Sequence, residues 1–502
     1  MGRQIYYPKN RNDKLTPTVP ISHFLSQEFL QPLTPFKKQG FFARVTISVL
    51  KVLSRIIEHI IGRSVLIANS LGELAMYEQS SRAMLESLLE KGLVTKWECG
   101  LRSNDKPGSY LCSLIIGEIT NSEHGVVCPA NYLSGHGDSE KLTHSLKVAL
   151  AETIERIVAT QWLEEKLLRY SVEELSLRKI PHFIKSYIPE QSIDPKASVG
   201  WLWANILGDD KRILVPASIV YLFYQWFHPQ EPLVLNVSTN GVATHSNPDL
   251  ATLGAVYESI ERDGFLMYWL LSIAPQIIVL DASTDTVVKE IADSFKRDNI
   301  EFYLLNCRNE FGVPVVTSVL VDRVTRSVCV YAACDMSPSD AIRKAATDAL
   351  RWSSEDTPVD YGITDFNKII TLNHRRSVWR GSDLIDEINF FLSGEEIPYS
   401  EYLKQFTPFL PPKLSPKAKL RIVEQKLSSC GIQTYIVDLS NDLSRQYGLH
   451  VKRAIIPDLI PIYFMESQPH TNVDRLRTFA ANMGYSDRGG DVVLNKTPHP
   501  FI

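Results

Sequence analysis

Four glutamates stand in two matching contexts: Leu146–Arg156 reads LKVALAETIER and Leu253–Arg262 reads LGAVYESIER. Both contain Glu-x-Ile-Glu-Arg, so Glu152 and Glu155, and likewise Glu258 and Glu261, project from one helical face each. Their neighbours are apolar: Ala149, Leu150 and Ile154 in one copy, Val256, Tyr257 and Ile260 in the other. Two carboxylates set beside a core repel each other and lose hydration unless cations neutralise them. Arg156 and Arg262 supply one charge apiece, which leaves negative charge over. Hard divalent ions with oxygen ligands satisfy such a site. A third helix pattern, 338–350, adds Lys344 and Asp348. Glu152, Glu155, Glu258, Glu261 and Asp348 thus form a candidate set for magnesium ions bridging a nucleotide triphosphate. A single Glu-x-x-Glu-Arg is ordinarily a solvated, salt-bridged helix face. Its repetition argues for the site.

Both copies follow a small-residue loop, Ser134–Ser139 (SGHGDS) and Ser238–Ala243 (STNGVA). Backbone N–H groups of such loops can meet phosphates at a helix start. The P-loop pattern GxxxxGK[ST] and the pattern GxGxxG are both absent, so any nucleotide cradle is of another kind.

The elements that must carry these residues are legible. Asn247-Pro248 and Ser337-Pro338 each place a capping side chain before a first-turn proline. Apolar, β-branched runs predict strands at 277–281, 302–307, 314–321, 328–332, 434–439 and 453–456. Several are nearly continuous in apolar character, which predicts sheets covered on both faces. The expected class is α/β (α+β) with an internally duplicated helix and sheet unit. Residues 1–38, polar and proline-bearing, read as a lead-in, 39–80 as a helical segment and 81–502 as one domain of alternating helices and strands. Residues 408–418 (PFLPPKLSPKA) read as a surface loop, and the tail TPHPFI reads as frayed by composition, although alternate prolines could hold it extended in a cleft.

Composition bounds the function. The 502 residues are 44% hydrophobic and 22% charged, ordinary for a folded protein. A net charge of −4 offers no basic field for nucleic acid. Residues 41–66 are the most membrane-like, but Arg44, Lys51, Arg55, Glu58 and Arg63 interrupt them, so an amphipathic helix is expected and no membrane span. The seven cysteines are odd in number and lack CxxC, which predicts reduced, buried thiols and a cytoplasmic protein.

The order small-residue loop, ALAETIER, STNGVA, ESIERD resembles the YcaO family. The block VPASIVYLFYQWF…LNVSTNGVATHSNPDLATLGAVYESIERDGFLMYWL resembles its D-protein branch, the cyclodehydratases of thiazole/oxazole-modified peptide pathways. The segments GIQTYIVDLS and VKRAIIPDLIP fit the same branch, and the likeness covers roughly residues 80–502. The resemblance implies that Glu152, Glu155, Glu258 and Glu261 hold Mg2+ on ATP, with Asp348 standing where the third helix offers its acid. It places His136, Ser238, Thr239, Asn240, Arg156, Arg262, Lys344 and Arg351 around the nucleotide. It gives catalytic parts to Arg262 and to the tail residues His499 and Ile502. The sequence departs from the family pattern at His136 (a lysine is common), Val148 and Ala149 (a hydroxyl is usual), Lys344 and Asp348 (arginine and glutamate), Arg351 (an amide) and Ile502 (proline).

The implied reaction is ATP-dependent activation of backbone amides in a ribosomally made precursor peptide, closing Cys, Ser or Thr to azolines. A thioamide- or amidine-forming relative and a non-catalytic scaffold subunit are the alternatives. No leader-binding module is legible in residues 1–80, so a separate leader-binding partner resembling ubiquitin-activating enzymes is expected, and a homodimer is possible.

Overall fold

The computed structural model describes residues 78–101, 110–121, 124–139, 141–183, 194–235, 237–352, 360–381, 383–406, 414–485 and 493–501. The chain divides into Met1–Val65 and Leu66–Ile502, and every described residue belongs to the second unit. The expected lead-in and the helix at 41–66 lie outside the described residues.

Three sheets organise the second unit. Strands β1 (Val94–Leu101), β2 (Tyr110–Ile116) and β5 (Ser134–Ser139) form an antiparallel sheet, and β3 (Ile119–Asn121) with β4 (Gly125–Cys128) forms a hairpin beside it. A six-stranded sheet runs β6 (Leu168–Tyr170), β7 (Val199–Ile206), β15 (Tyr435–Asp438), β16 (His450–Ile455), β9 (Val242–His245), with β8 (Arg212–Pro216) also paired to β7. The third runs β13 (Ser327–Cys334), β12 (Val315–Asp322), β11 (Glu301–Asn306), β10 (Gln276–Val279), β14 (Glu396–Pro398). All six predicted strands are present, displaced by at most a few residues at their ends.

The helices that matter below are α1 (Gln79–Glu90), α2 (Leu142–Val158), α3 (Tyr224–Phe227), α4 (Pro248–Leu270), α5 (Thr286–Arg297), α6 (Pro338–Ala349), α7 (Leu372–Val378) and α8 (Pro416–Ser429). Helix α8 begins at Pro416, inside the segment expected to be a loop. Ser415 explains the start, because its hydroxyl accepts the Ala418 N–H ahead of a first-turn proline.

The third sheet is covered on both faces, as its continuous apolar strands predicted. Along β12, Val315, Val319 and Val321 pack with α4, whereas Val316 and Leu320 pack with α5 and α6. Strand β13 alternates the same way, Val328, Val330 and Ala332 on one side and Cys329, Tyr331 and Ala333 on the other. Helix α4 is the central element, packing against β9 and β16 of one sheet and β12 and β13 of another.

Two expectations are corrected. The segment 134–139 is strand β5, not a loop. Its glycines bring α2 onto its backbone: a Cβ at Gly135 would lie 2.2 Å from Thr153 Oγ1, and one at Gly137 would lie 2.0 Å from the Ser145 carbonyl oxygen. Cys99 and Cys112 form a disulfide rather than remaining reduced. They face each other directly across β1 and β2, with 4.1 Å between Cα atoms, so strand pairing sets the contact that spacing along the chain does not reveal. Cys128, Cys307, Cys329 and Cys334 are buried free thiols, as expected, whereas the free thiol of Cys430 is exposed.

Candidate active site

Helix α2 presents Glu152 and Glu155, α4 presents Glu258 and Glu261, and α6 presents Lys344 and Asp348. The latter two helices start as the sequence indicated. Asn247 accepts the Asp249 and Leu250 N–H groups, and Ser337 accepts that of Asp340. Helix α2 begins without a side-chain cap and is held by its packing on β5.

The two halves repeat one hydrogen-bond pattern. The His136 N–H donates to Glu152 Oε2 at 2.6 Å, and the Gly241 N–H donates to Glu258 Oε2 at 3.1 Å. On the opposite oxygen, Arg156 pairs with Glu152, and Arg262 with Glu258 at 3.2 Å. Arg262 also reaches Glu261 at 2.8 Å. Each first glutamate is therefore clamped between a backbone N–H, of strand β5 or of the turn entering β9, and the arginine one turn on.

The acids share one electrostatic field. Burial raises the Glu155 carboxyl well above its ordinary range, and repulsion from Glu258 and Glu152 adds to the rise. Burial likewise pushes Glu261 up to about 8; Arg262 opposes this, while Glu258 and Asp348 reinforce it. Glu258 is raised by burial against the pull of Arg262. Water still reaches the group, since the Glu152, Glu258 and Asp348 side chains retain 27%, 24% and 31% of their exposure. The acids are thus half-buried and not sealed from solvent.

Its donors fit magnesium and a phosphate chain. Carboxylate oxygens from three helices supply hard ligands. Beside them, Arg156 Nε, Arg262 Nε and Asn240 Nδ2 are buried N–H donors that lack a hydrogen-bond partner. Orphaned donors of this kind call for an acceptor. Asn240 is otherwise fixed, its Oδ1 accepting the Ile462 N–H at 3.1 Å. Ser238 Oγ accepts the Asn240 N–H at 3.2 Å, and the Thr239 carbonyl accepts the Val242 N–H. The segment 238–241 is thus a tight turn entering β9.

Residues 135–460 match the family described as YcaO cyclodehydratase, ATP- and Mg2+-binding. The chain belongs to the YcaO family. Solved structures agree in fold. A heterocyclase in complex with substrate and cofactor superposes with a TM-score of 0.66 at 14% identity, covering 85% of this chain. The chain spans 58% of that heterocyclase's length. YcaO from Methanopyrus kandleri, bound with AMPPCP and Mg2+, gives a TM-score of 0.53 at 17% identity, covering 76% of this chain and 90% of that one. The E. coli microcin synthetase McbBCD complex gives 0.51 at 15% identity, covering 79% and 94%. ATP and Mg2+ are accordingly the cofactors of this YcaO protein, which the donor set of the cleft accommodates.

The remaining expected residues occupy varied positions. Arg351 Nε donates to Asp138 Oδ2 at 2.7 Å and its guanidinium pairs with Asp348 at 3.1 Å, tying the end of α6 to β5. Burial works against the charge of Lys344, but Asp335 at 2.8 Å more than restores it. The His136 ring shares a hydrogen bond with Ser134 Oγ at 2.8 Å, and burial lowers its pKa. Ile502 lies outside the described residues.

The tail is docked, against the expectation of fraying. Trp269 Nε1 donates to the Thr497 carbonyl at 3.0 Å, Trp379 Nε1 to Pro498 at 2.9 Å and Arg375 Nη1 to His499 at 2.9 Å. His499 is fully buried, with Nε2 2.8 Å from the Tyr463 carbonyl oxygen, and burial holds its imidazole well below the ordinary range. A neutral, core-held ring suits anchoring better than the catalytic part the resemblance implied for it. It is Phe501 that reaches the cleft, its ring centroid 4.2 Å from the Arg262 guanidinium.

Two contributors escaped the sequence reading. Arg453 of β16 is 3% exposed, donates to the Ser238 carbonyl at 3.1 Å and lies in the field of Glu258 and Glu155. Burial pushes its pKa down to about 10, with those acids opposing the fall. Its signal was a charge inside the apolar run VKRAII, which pairing of β16 with β9 carries to the turn 238–241. Asp263, the final residue of ESIERD, is a structural acid, bound to Arg475 at 2.6 Å and to the Ile460 N–H at 2.9 Å.

Proposed function

We propose that this YcaO protein activates backbone amides of a ribosomally made precursor peptide so that Cys, Ser or Thr side chains close to thiazolines or oxazolines. The observation that carries the reading is the convergence of Glu152, Glu155, Glu258, Glu261 and Asp348 on one cleft beside Arg262 and Asn240. Glutamates from α2 and α4, with Asp348 of α6, would hold Mg2+. Asn240 Nδ2 and the Nε groups of Arg156 and Arg262 would donate to phosphate oxygens. Bound Mg2+–ATP supplies a phosphoryl group to the amide oxygen, converting a poor leaving group into phosphate.

What the protein adds is alignment and neutralisation of charge, the main needs of phosphoryl transfer. Two carboxylates and the Phe501 ring hold Arg262 at the cleft. The substrate's own side chain adds to the preceding carbonyl, so no nucleophile from this chain is required. A leader-binding partner resembling ubiquitin-activating enzymes would deliver the peptide. The similarity in fold to a member of the microcin synthetase complex supports a multi-subunit assembly.

Phosphate release by the purified chain with a Cys/Ser/Thr-rich precursor and its partner tests the reading, read together with product mass. Loss of one water per ring is expected, and Glu261→Gln should lower phosphate release by at least about a hundredfold, the scale of lost metal-held charge stabilisation. Unchanged release in Glu261→Gln would refute the metal assignment. Sulfur exchange in place of water loss would redirect the product to a thioamide.

A further inference from the structure

Outside the acid cleft, the turn between β3 and β4, the residues following α2 and the end of α3 bring His124, Glu164 and His228 together. Their ligating atoms all lie within 4.8 Å of one another. His228 Nδ1 is 3.0 Å from the Tyr224 carbonyl oxygen, which only accepts, so that nitrogen carries the proton. Its Nε2 nevertheless lies 2.6 Å from Glu164 Oε1, also an acceptor. The same oxygen receives Trp162 Nε1 at 3.0 Å and lies 3.3 Å from His124 Nε2. One carboxylate oxygen thus faces three nitrogens with two lone pairs.

Charge is unbalanced as well. Glu164 and Glu231 both pair with the single guanidinium of Arg169, and the Glu231 side chain is 1% exposed. Tyr224 OH and the Gly200 N–H complete the Glu231 shell without adding charge. A second positive charge, from a protonated His228 or from a bound cation, would balance these carboxylates among the rings of Trp162, Tyr224 and Phe227.

We propose that His124, Glu164 and His228 bind a divalent transition-metal ion of the zinc class, at a site sharing no residue with the Mg2+–ATP cleft. Two imidazoles and one carboxylate suit zinc and exclude magnesium as the preferred ion. Tetrahedral ligands on zinc stand about 3.3 Å apart, as His124 and Glu164 already do, and His228 must retreat by under about 1 Å. Outer partners are in place: Arg169 on Glu164 Oε2 at 2.6 Å, and the Tyr224 carbonyl fixing the His228 tautomer. The His124 side chain is 23% exposed, so solvent reaches the cluster and a water could complete the coordination. The ion would fasten the β3–β4 hairpin to α3.

The full chain, stripped by a chelator and then saturated with Mg2+–ATP, is titrated with Zn2+ by calorimetry and with Co2+ by visible absorption. One equivalent of Zn2+ is expected, with Co2+ giving the intense d–d bands of low coordination number. His228→Ala and His124→Ala should each weaken uptake at least about a hundredfold. His124 lies on the hairpin turn, so its variant carries the test should His228→Ala fail to fold. Absence of stoichiometric uptake by the wild type at micromolar protein, or equal uptake by His124→Ala, overturns the site and leaves a protonated His228 as the missing charge.

Discussion

Glu261 and Glu155 sit where burial and neighbouring acids oppose their ionisation, and that opposition has a measurable direction. A carboxyl in the unfolded chain titrates near about 4.3, whereas Glu261 in the folded chain titrates at about 8. Between those values the folded state binds a proton that the unfolded state has lost, so this group's contribution to stability falls as pH rises. Thermal unfolding of the metal-free protein should therefore move to lower temperature from about pH 5 to pH 8, and Glu261→Gln should flatten that slope. Metal ligation needs the carboxylate, so Mg2+–ATP affinity should rise over the same interval, with proton release visible by calorimetry in buffers of different ionisation enthalpy. A Mg2+–ATP affinity that fell with pH would contradict a ligand role for these acids. The acids were legible in the sequence because they are repeated. Arg453 and Phe501 were not, because their proximity to Glu258 and Arg262 follows from strand pairing and tail docking between segments far apart in the chain.

Among the elements, the contact between α2 and β5 sets the first half of the cleft. Gly137 lets the helix lie on the strand: a Cβ there would meet the Ser145 carbonyl oxygen at 2.0 Å and the Ala149 nitrogen at 2.6 Å, both backbone atoms that cannot rotate aside. Gly137→Ala should destabilise the protein by about 3 kcal/mol, the upper range for overpacking, read as a lowered denaturation midpoint. Separation of the two elements would also pull the His136 N–H from Glu152. Local pattern alone makes residues 134–139 a loop, whereas they form β5. Two glycines in SGHGDS look like a turn, whereas they mark a backbone approached by a helix. The helix caps before α4 and α6 were readable since a cap involves only neighbours in sequence.

For the molecule as a whole, the tail is the fastening that joins distant parts. Residues 497–499 receive donors from Trp269 of α4, Trp379 just past α7, and Arg375 of α7, and Phe501 pairs with Val330 of β13. Trp379→Phe would leave the Pro498 carbonyl unpaired in the core and should cost about 1–3 kcal/mol. Carboxypeptidase should then trim the variant while sparing the wild type, and phosphate release should fall as Phe501 leaves Arg262. Equal resistance to trimming would show that the tail is held elsewhere. No helix among the described residues is long and apolar enough to cross a membrane.

By itself the amino-acid sequence determined which helices bear acids, where those helices begin and which strands are buried on both faces. Each of these is written in local spacing, where the 3.6-residue and two-residue periods translate directly into faces. Tertiary structure alone decided that the acids of α2, α4 and α6 share one field, that Arg453 joins them, that Cys99 meets Cys112 and that the proline tail is core. Those outcomes depend on contacts between segments remote along the chain, and electrostatic coupling falls with distance in space rather than in sequence.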